Sequence, residues 1–184
     1  MANYFWSNKA NLVLLVLMAL LLSACDKDRG GRDFIEFVID GEHIHIEKFE
    51  TTKGNIVSQL IDVGATRLLN IAFTGTVSSK PHGGALALSS NEEFAAKAYP
   101  FDGSEPGGLI NFPTFYYLDG DLTAYTLMPN GSGTISLTSY SGRASGALIE
   151  GTFSMTGVEK KLDSGEVVAT GLNVTNGKFS VRLE

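Results

Sequence analysis

His43, His45 and Glu47 stand at alternate positions of one short run, so an extended strand carries all three on the same face. Imidazole and carboxylate groups in that spacing suit zinc or copper. The plainer reading is a solvated outer face with His45 across from Glu36 as a cross-strand pair. Only two strong ligands are in reach, with His82 in an unrelated loop, and no metal is assigned. Asp119 and Asp121 flank Gly120 and loosely suggest a calcium loop, but the series of acidic positions ending in a Glu is missing. Asp-Gly turn chemistry accounts for them. Nucleophilic serine chemistry needs a positioned base, and the chain has three histidines. It has no Gly-x-Ser-x-Gly elbow, phosphate-binding glycine loop or His-Glu-x-x-His helix. The domain is therefore read as non-enzymatic, with no catalytic residue and no cofactor.

Phe112, Phe115, Tyr116, Tyr117 and Tyr125 concentrate aromatic surface beside a Gly/Pro-rich stretch. Strand aromatics usually fill a core. Here they fall on both faces of one hairpin, so one face is expected to be exposed or covered by a partner. Phe115, Tyr116, Tyr117 and Tyr125 are the candidate interaction surface.

The remaining chemistry is at the N-terminus. Lys9 precedes an almost unbroken apolar run, Leu12 to Leu22, and small residues lead into Cys25, the one cysteine in the chain. This has the plan of a secretory signal. The run from Leu12 to Ala24 is shorter than the roughly 17–25 residues that span a bilayer. Leu22-Ser23-Ala24-Cys25 resembles the lipobox of bacterial lipoproteins. That resemblance implies cleavage before Cys25, acylation of its thiol and new amino terminus, and attachment to a membrane of the bacterial cell envelope. Two or more acyl chains hold firmly where one binds marginally. Residues 1–24 are then a signal peptide and 25–33 a lipidated, flexible tether, Asp26-Lys27-Asp28-Arg29-Gly30-Gly31-Arg32 being charged and Gly-containing. Residues 34–184 remain as a single domain. Which membrane, and whether the domain faces the periplasm or the exterior, stays open.

The signal carries one charge, Lys9, so its loss takes the formal charge from −6 to −7. Nucleic-acid binding needs Lys and Arg to displace phosphate counterions, so an acidic chain argues against that partner. About 160 residues bury enough surface for a core without disulfides.

The elements that must position any site are written as hairpins. Asp40-Gly41 between two alternating apolar runs predicts a type I′ turn with Ile39 opposite Glu42, Phe37 opposite Ile44 and Ile35 opposite Ile46. Asp119-Gly120 predicts a second, pairing Leu118 with Asp121 and Tyr117 with Leu122. Asn55–Val63 and Thr66–Val77 read as strands joined at Gly64, with Leu69, Ile71 and Phe73 inward. Ser90 with Glu93 is a capping box and predicts a short helix near 91–98, ended by Pro100; 102–113 reads as an irregular connection. Gly133–Tyr140, Ala147–Met155 and Leu172–Leu183 return to strand, and Gly157–Gly171 reads as a loop or ragged hairpin. Asn176-Gly177 is either a tight turn or a bulge. Thr134–Tyr140, Gly151–Ser154 and Val174–Phe179 look like the tail of uncharacterised bacterial β-lipoproteins, a resemblance covering residues 34–41 and 132–182 that implies a sandwich-like or lipocalin-like domain. The expected fold is all-β, an antiparallel sandwich or a lipocalin-like barrel. The expected function is a membrane-anchored, non-catalytic binding domain for an envelope protein or glycan. The alternative is a lipocalin-like carrier of a small hydrophobic ligand.

Overall fold

The computed structural model describes residues 33–48, 54–102 and 113–184. The signal segment, Cys25, the tether through Arg32, Phe112 and most of the 102–113 connection lie outside the described residues. Asp40 and Gly41 take φ of 51° and 82°, the left-handed pair a two-residue type I′ turn demands. They join β1 (Phe34–Ile39) to β2 (Glu42–Glu47) in the register the turn dictates, Phe37 facing Ile44 and Glu36 facing His45. Gly64, at φ 64°, turns β3 (Gly54–Val63) into β4 (Thr66–Val77), with Leu69, Ile71 and Phe73 buried as expected.

β5 (Lys80–Ser90) has no counterpart in the sequence reading. Its turn is Ser78-Ser79, both at positive φ (50° and 68°), without the Gly or Asn that normally announces such a turn. Its Gly83-Gly84-Ala85 stretch also looks poorly suited to a strand. Packing explains the glycine: a Cβ on Gly84 would meet the carbonyl oxygen of Tyr116 and, at 2.6 Å, the ring of Phe73.

The helix expected near 91–98 is not formed, and the described residues contain no helix. Ser90 Oγ accepts from the backbone N–H of Glu92 at 3.0 Å, closing a tight turn two residues on instead of capping a helix three residues on. Phe94 is buried against Tyr99, ring centroids 5.8 Å apart. The Tyr99 hydroxyl accepts from Ala95 N–H (2.9 Å) and donates to Ala95 C=O (3.1 Å). These contacts occupy backbone groups a helix would need, and the chain proceeds directly into β6 (Ala98–Phe101).

The chain continues through β7 (Thr114–Leu118), β8 (Ala124–Tyr140), β9 (Leu148–Lys161) and β10 (Val167–Arg182). The segment read as a loop or ragged hairpin is the hairpin, a β9–β10 pair with several register shifts. Asn176-Gly177 is a bulge in one long strand: Asn176 sits at φ 55° and the β9–β10 register slips between Val174 and Gly177.

The sheet runs β2-β1-β10-β9-β8-β7-β5-β4-β3, with β6 paired to β8 beyond the end of β7. The first strand pairs with the last, β5 pairs with β7 rather than with β6, and β2 and β3 are the two edges. The sheet curls nearly into a barrel, its edges β2 and β3 meeting at a seam. The β3 edge also meets the chain just past β10, where Ser58 bridges Leu183 in parallel and its carbonyl accepts from Glu184 N–H at 3.0 Å. Strand direction places the 40–41, 78–79 and 119–123 turns at one end, and Asp33, Gly64 and Glu184 at the other. Inside, the Phe37 ring lies 5.2–6.0 Å from those of Tyr117, Phe115, Phe73 and Phe153.

Candidate functional site

The β7–β8 connection decides which aromatics are available. Asp119 Oδ1 accepts from the N–H groups of Asp121 and Thr123, each at 2.9 Å, and Leu122 adopts φ 62°. The loop is therefore five residues, Asp119 to Thr123, and Leu118 pairs with Ala124, Tyr117 with Tyr125 and Tyr116 with Thr126. The expected pairing of Leu118 with Asp121 is corrected by three residues. Such an odd shift reverses which side chains share a face. Gly120 is needed for space, since a Cβ there would collide with the Lys80 side chain.

In this register the four candidate residues do not form one surface. Phe115, Tyr117 and Tyr125 belong to the core, while Tyr116 is 41% exposed. Tyr117 and Tyr125 pack at 5.6 Å inside the sheet. Burial, reinforced by the carboxylates of Asp119 and Glu42, pushes the Tyr117 hydroxyl well above its usual range. That hydroxyl hydrogen-bonds His82 Nδ1 at 2.5 Å, and the two rings stack.

Tyr116 sits midway along a wall of the barrel, between Ala85 on β5 and Thr126 on β8. The outward positions of this wall alternate with the buried ones. They are Val57, Gln59, Ile61 and Val63 on β3, and Leu68, Asn70, Ala72 and Thr74 on β4. Ala85 and Ala87 follow on β5, then Thr114 and Tyr116 on β7, and Thr126 on β8. None carries a charge. Composition alone does not reveal this, because charged side chains occur nearby in sequence. Asp62, Arg67 and Lys80 fall at the two ends of the barrel, where Asp62 meets Arg143 and Arg67, and Lys80 meets Asp121.

The opposite wall is ionic. His45 Nδ1 contacts Glu36 at 3.2 Å and its Nε2 contacts Glu47 at 3.0 Å. Lys178 reaches Glu36 at 3.1 Å, and Phe34 stacks on the imidazole. Both ring nitrogens of His45 are thus engaged with carboxylates. Among the described residues no group of three His, Cys, Asp or Glu side chains is disposed to hold a metal ion.

An open cleft of about 340 Å³ lies at the turn end, lined by Glu42, His43, Lys80, His82, Asp119 and Asp121 among others. Its aspartates are already committed. Asp121 takes Lys80 on both oxygens (2.5 and 2.7 Å), and Asp119 Oδ1 closes its own loop.

Fold and surface define an all-β, barrel-like domain with an aromatic-packed interior, one ionic wall and one uncharged wall. Comparison with family models, curated proteins and solved structures finds no match.

Proposed function

We propose that this chain is a lipoprotein of the bacterial cell envelope, anchored through Cys25, whose barrel is a non-catalytic binding domain for a neutral glycan. The uncharged wall centred on Tyr116 carries this reading. An exposed aromatic ring stacks on the C–H face of a sugar. The flanking Thr114, Thr126 and Asn70 offer hydroxyl and amide groups to sugar hydroxyls. The charges that border Thr126, Glu159 and Lys161 on β9, are already paired with each other at 2.6 Å, so the contact is made without desolvating an unpaired charge. The lipobox supports the anchor. Asp33, which leads into β1, lies at the end of the barrel opposite the turn end.

The carrier reading requires a central cavity. The rings packed on Phe37 fill the middle of the barrel, and the turn end is bridged by Lys160 and Asp40 (2.5 Å) above the Tyr125 ring. These observations favour a ligand on the outside.

Two measurements test the proposal. In a bacterial host, radiolabelled palmitate is expected to enter the chain and to be lost in Cys25→Ser; labelling unchanged by that substitution removes the anchor. In NMR titration of the chain with neutral cell-wall oligosaccharides, shifts are expected to centre on Tyr116 and Thr126. Tyr116→Ala should weaken binding at least tenfold while moving the melting temperature by no more than a few degrees, as expected for an exposed side chain. Shifts confined to the ionic wall, or none with any neutral glycan, reject the reading; saturable uptake of a hydrophobic fluorophore into the folded interior would favour the carrier.

A further inference from the structure

β3 is paired to β4 along its whole length on one side. On the other side, among the described residues, its strand contact is the parallel bridge between Ser58 and Leu183. The Ser58 hydroxyl also donates to the carbonyl of Arg182 at 2.6 Å. The two-residue turn at Gly64-Ala65 makes Val63 and Thr66 a hydrogen-bonded pair, so Val63, Ile61 and Gln59 direct their N–H and C=O groups toward β4. By the alternation of an antiparallel ladder, Ser58, Leu60 and Asp62 direct theirs to the free edge, and the Ser58 contacts agree with that parity. Leu60 and Asp62 therefore present main-chain donors and acceptors at a sheet edge.

Natural edge strands are blunted by lysine, proline, bulges or inward charges. Gln59–Val63 has no lysine or proline, and its pairing with β4 runs without a bulge. Its one charge, Asp62, is met within the same chain by Arg143 at 2.5 Å and Arg67 at 3.9 Å. Ile61 and Val63 beside it are 41% and 64% exposed, Val63 more than any other large apolar residue described.

We propose that this edge docks the same strand of a second copy of the chain, antiparallel about a two-fold axis at Ile61. That register sets Ile61 against Ile61 of the second copy, Leu60 against Asp62, and Gln59 against Val63. No like charges meet, and the apolar side chains gain cross-strand partners. One self-complementary strand suffices for such an isologous contact, and nothing from a different protein is required. The ladder is about 17 Å long, which makes a small, transient-class interface. Confinement to a membrane plane raises the effective concentration of such pairs, and to that extent the proposal rests on the Cys25 anchor.

The test is disulfide cross-linking of the full chain in bacterial membranes. Leu60 and Asp62 make the edge hydrogen bonds, so Ile61 meets its symmetry mate as a non-hydrogen-bonded pair, Cα atoms about 4.5 Å apart and within disulfide reach. Ile61→Cys is expected to give at least tenfold more covalent dimer than Thr74→Cys, an exposed control on the far side of β4. Adding Val63→Lys should lower the Ile61→Cys yield to the control level with the melting temperature unchanged. Equal yields at positions 61 and 74, Val63→Lys without effect, or a position-61 adduct to a different protein each overturn the proposal. Cross-linking of the parent chain through Cys25 would instead show that thiol unacylated, which counts against the anchor and not against the edge; Ile61→Cys is then compared with Thr74→Cys in a Cys25→Ser chain.

Discussion

Along β1, β2 and β10 the outward positions hold Glu36, His45, Glu47 and Lys178, tied into one ionic cluster, whereas on the wall from β3 to Thr126 of β8 they hold uncharged residues, among them Gln59, Ile61, Leu68, Asn70 and Tyr116. The inward positions of the two walls do not differ in kind. Ile35, Phe37 and Ile46 on one side meet Ile71, Phe73 and Phe115 on the other, all buried. A strand stabilises the fold through the half of its side chains that leave water, each fully buried large apolar group contributing roughly 1.5–3 kcal/mol. The outer half is free to vary. An ionic exterior keeps a sheet solvated and apart from its neighbours, and it adds only about 0–1 kcal/mol per exposed pair. An uncharged exterior does neither, which is why contact is assigned to that wall.

The sharpest contrast between inner and outer positions is Phe37→Ala. Its ring contacts four others, so its loss should cost about 3–5 kcal/mol, read as a shifted midpoint in denaturant. A cost below about 1 kcal/mol would mean that the interior is not packed around it, and would reopen the carrier reading. Next comes Tyr117→Phe, one residue from Tyr116 but on the inner face. It leaves His82 without its hydroxyl partner and should cost about 1–2 kcal/mol, with no change in glycan affinity. Reversal of the two tyrosine phenotypes, binding lost at Tyr117 and stability at Tyr116, would exchange the faces assigned to them.

The smallest effect belongs to the ionic wall. Partial burial opposes ionisation of Glu36, but hydrogen bonds from Lys178 and His45 outweigh it and hold the carboxyl below its ordinary 4.5. A carboxyl with a lowered folded-state pKa stabilises the protein above its unfolded value, and that contribution disappears as pH falls through the folded value. Lys178→Met should therefore cost no more than about 1 kcal/mol near neutral pH, and the difference from the parent chain should shrink as pH falls through and below the ordinary carboxyl value of 4.5. Parallel stability curves across that range would show that Lys178 does not act through Glu36.

Where turn chemistry was carried by the backbone of two adjacent residues, sequence was enough to read the structure. Asp40-Gly41 sets its hairpin to the residue because both positions need positive φ, and Gly64 does the same for β3 and β4. Asp119-Gly120 looks alike in sequence but behaves differently. The Asp119 side chain gathers two N–H groups and lengthens the loop, and the extra three residues carry Tyr125 into the core beside Tyr117. Ser78-Ser79 forms a turn without announcing it, so β5 was missed and with it the strand that gives Tyr116 its neighbour Ala85. The capping box at Ser90 failed because the buried rings of Phe94 and Tyr99 outweigh the preference of one short segment.

The sequence alone determined the class of the domain, the alternating inward residues and the first hairpin, since these follow from period-two burial and local φ preference. It also placed Cys25 in a lipobox-like setting, the basis of the anchor now proposed. Only the tertiary structure decided that the sheet curls with its first strand against its last, that the centre is packed with aromatic rings, and that one wall lacks charge. Those depend on register between distant strands, where a shift of one residue turns every side chain to the other face, and no local preference encodes that choice.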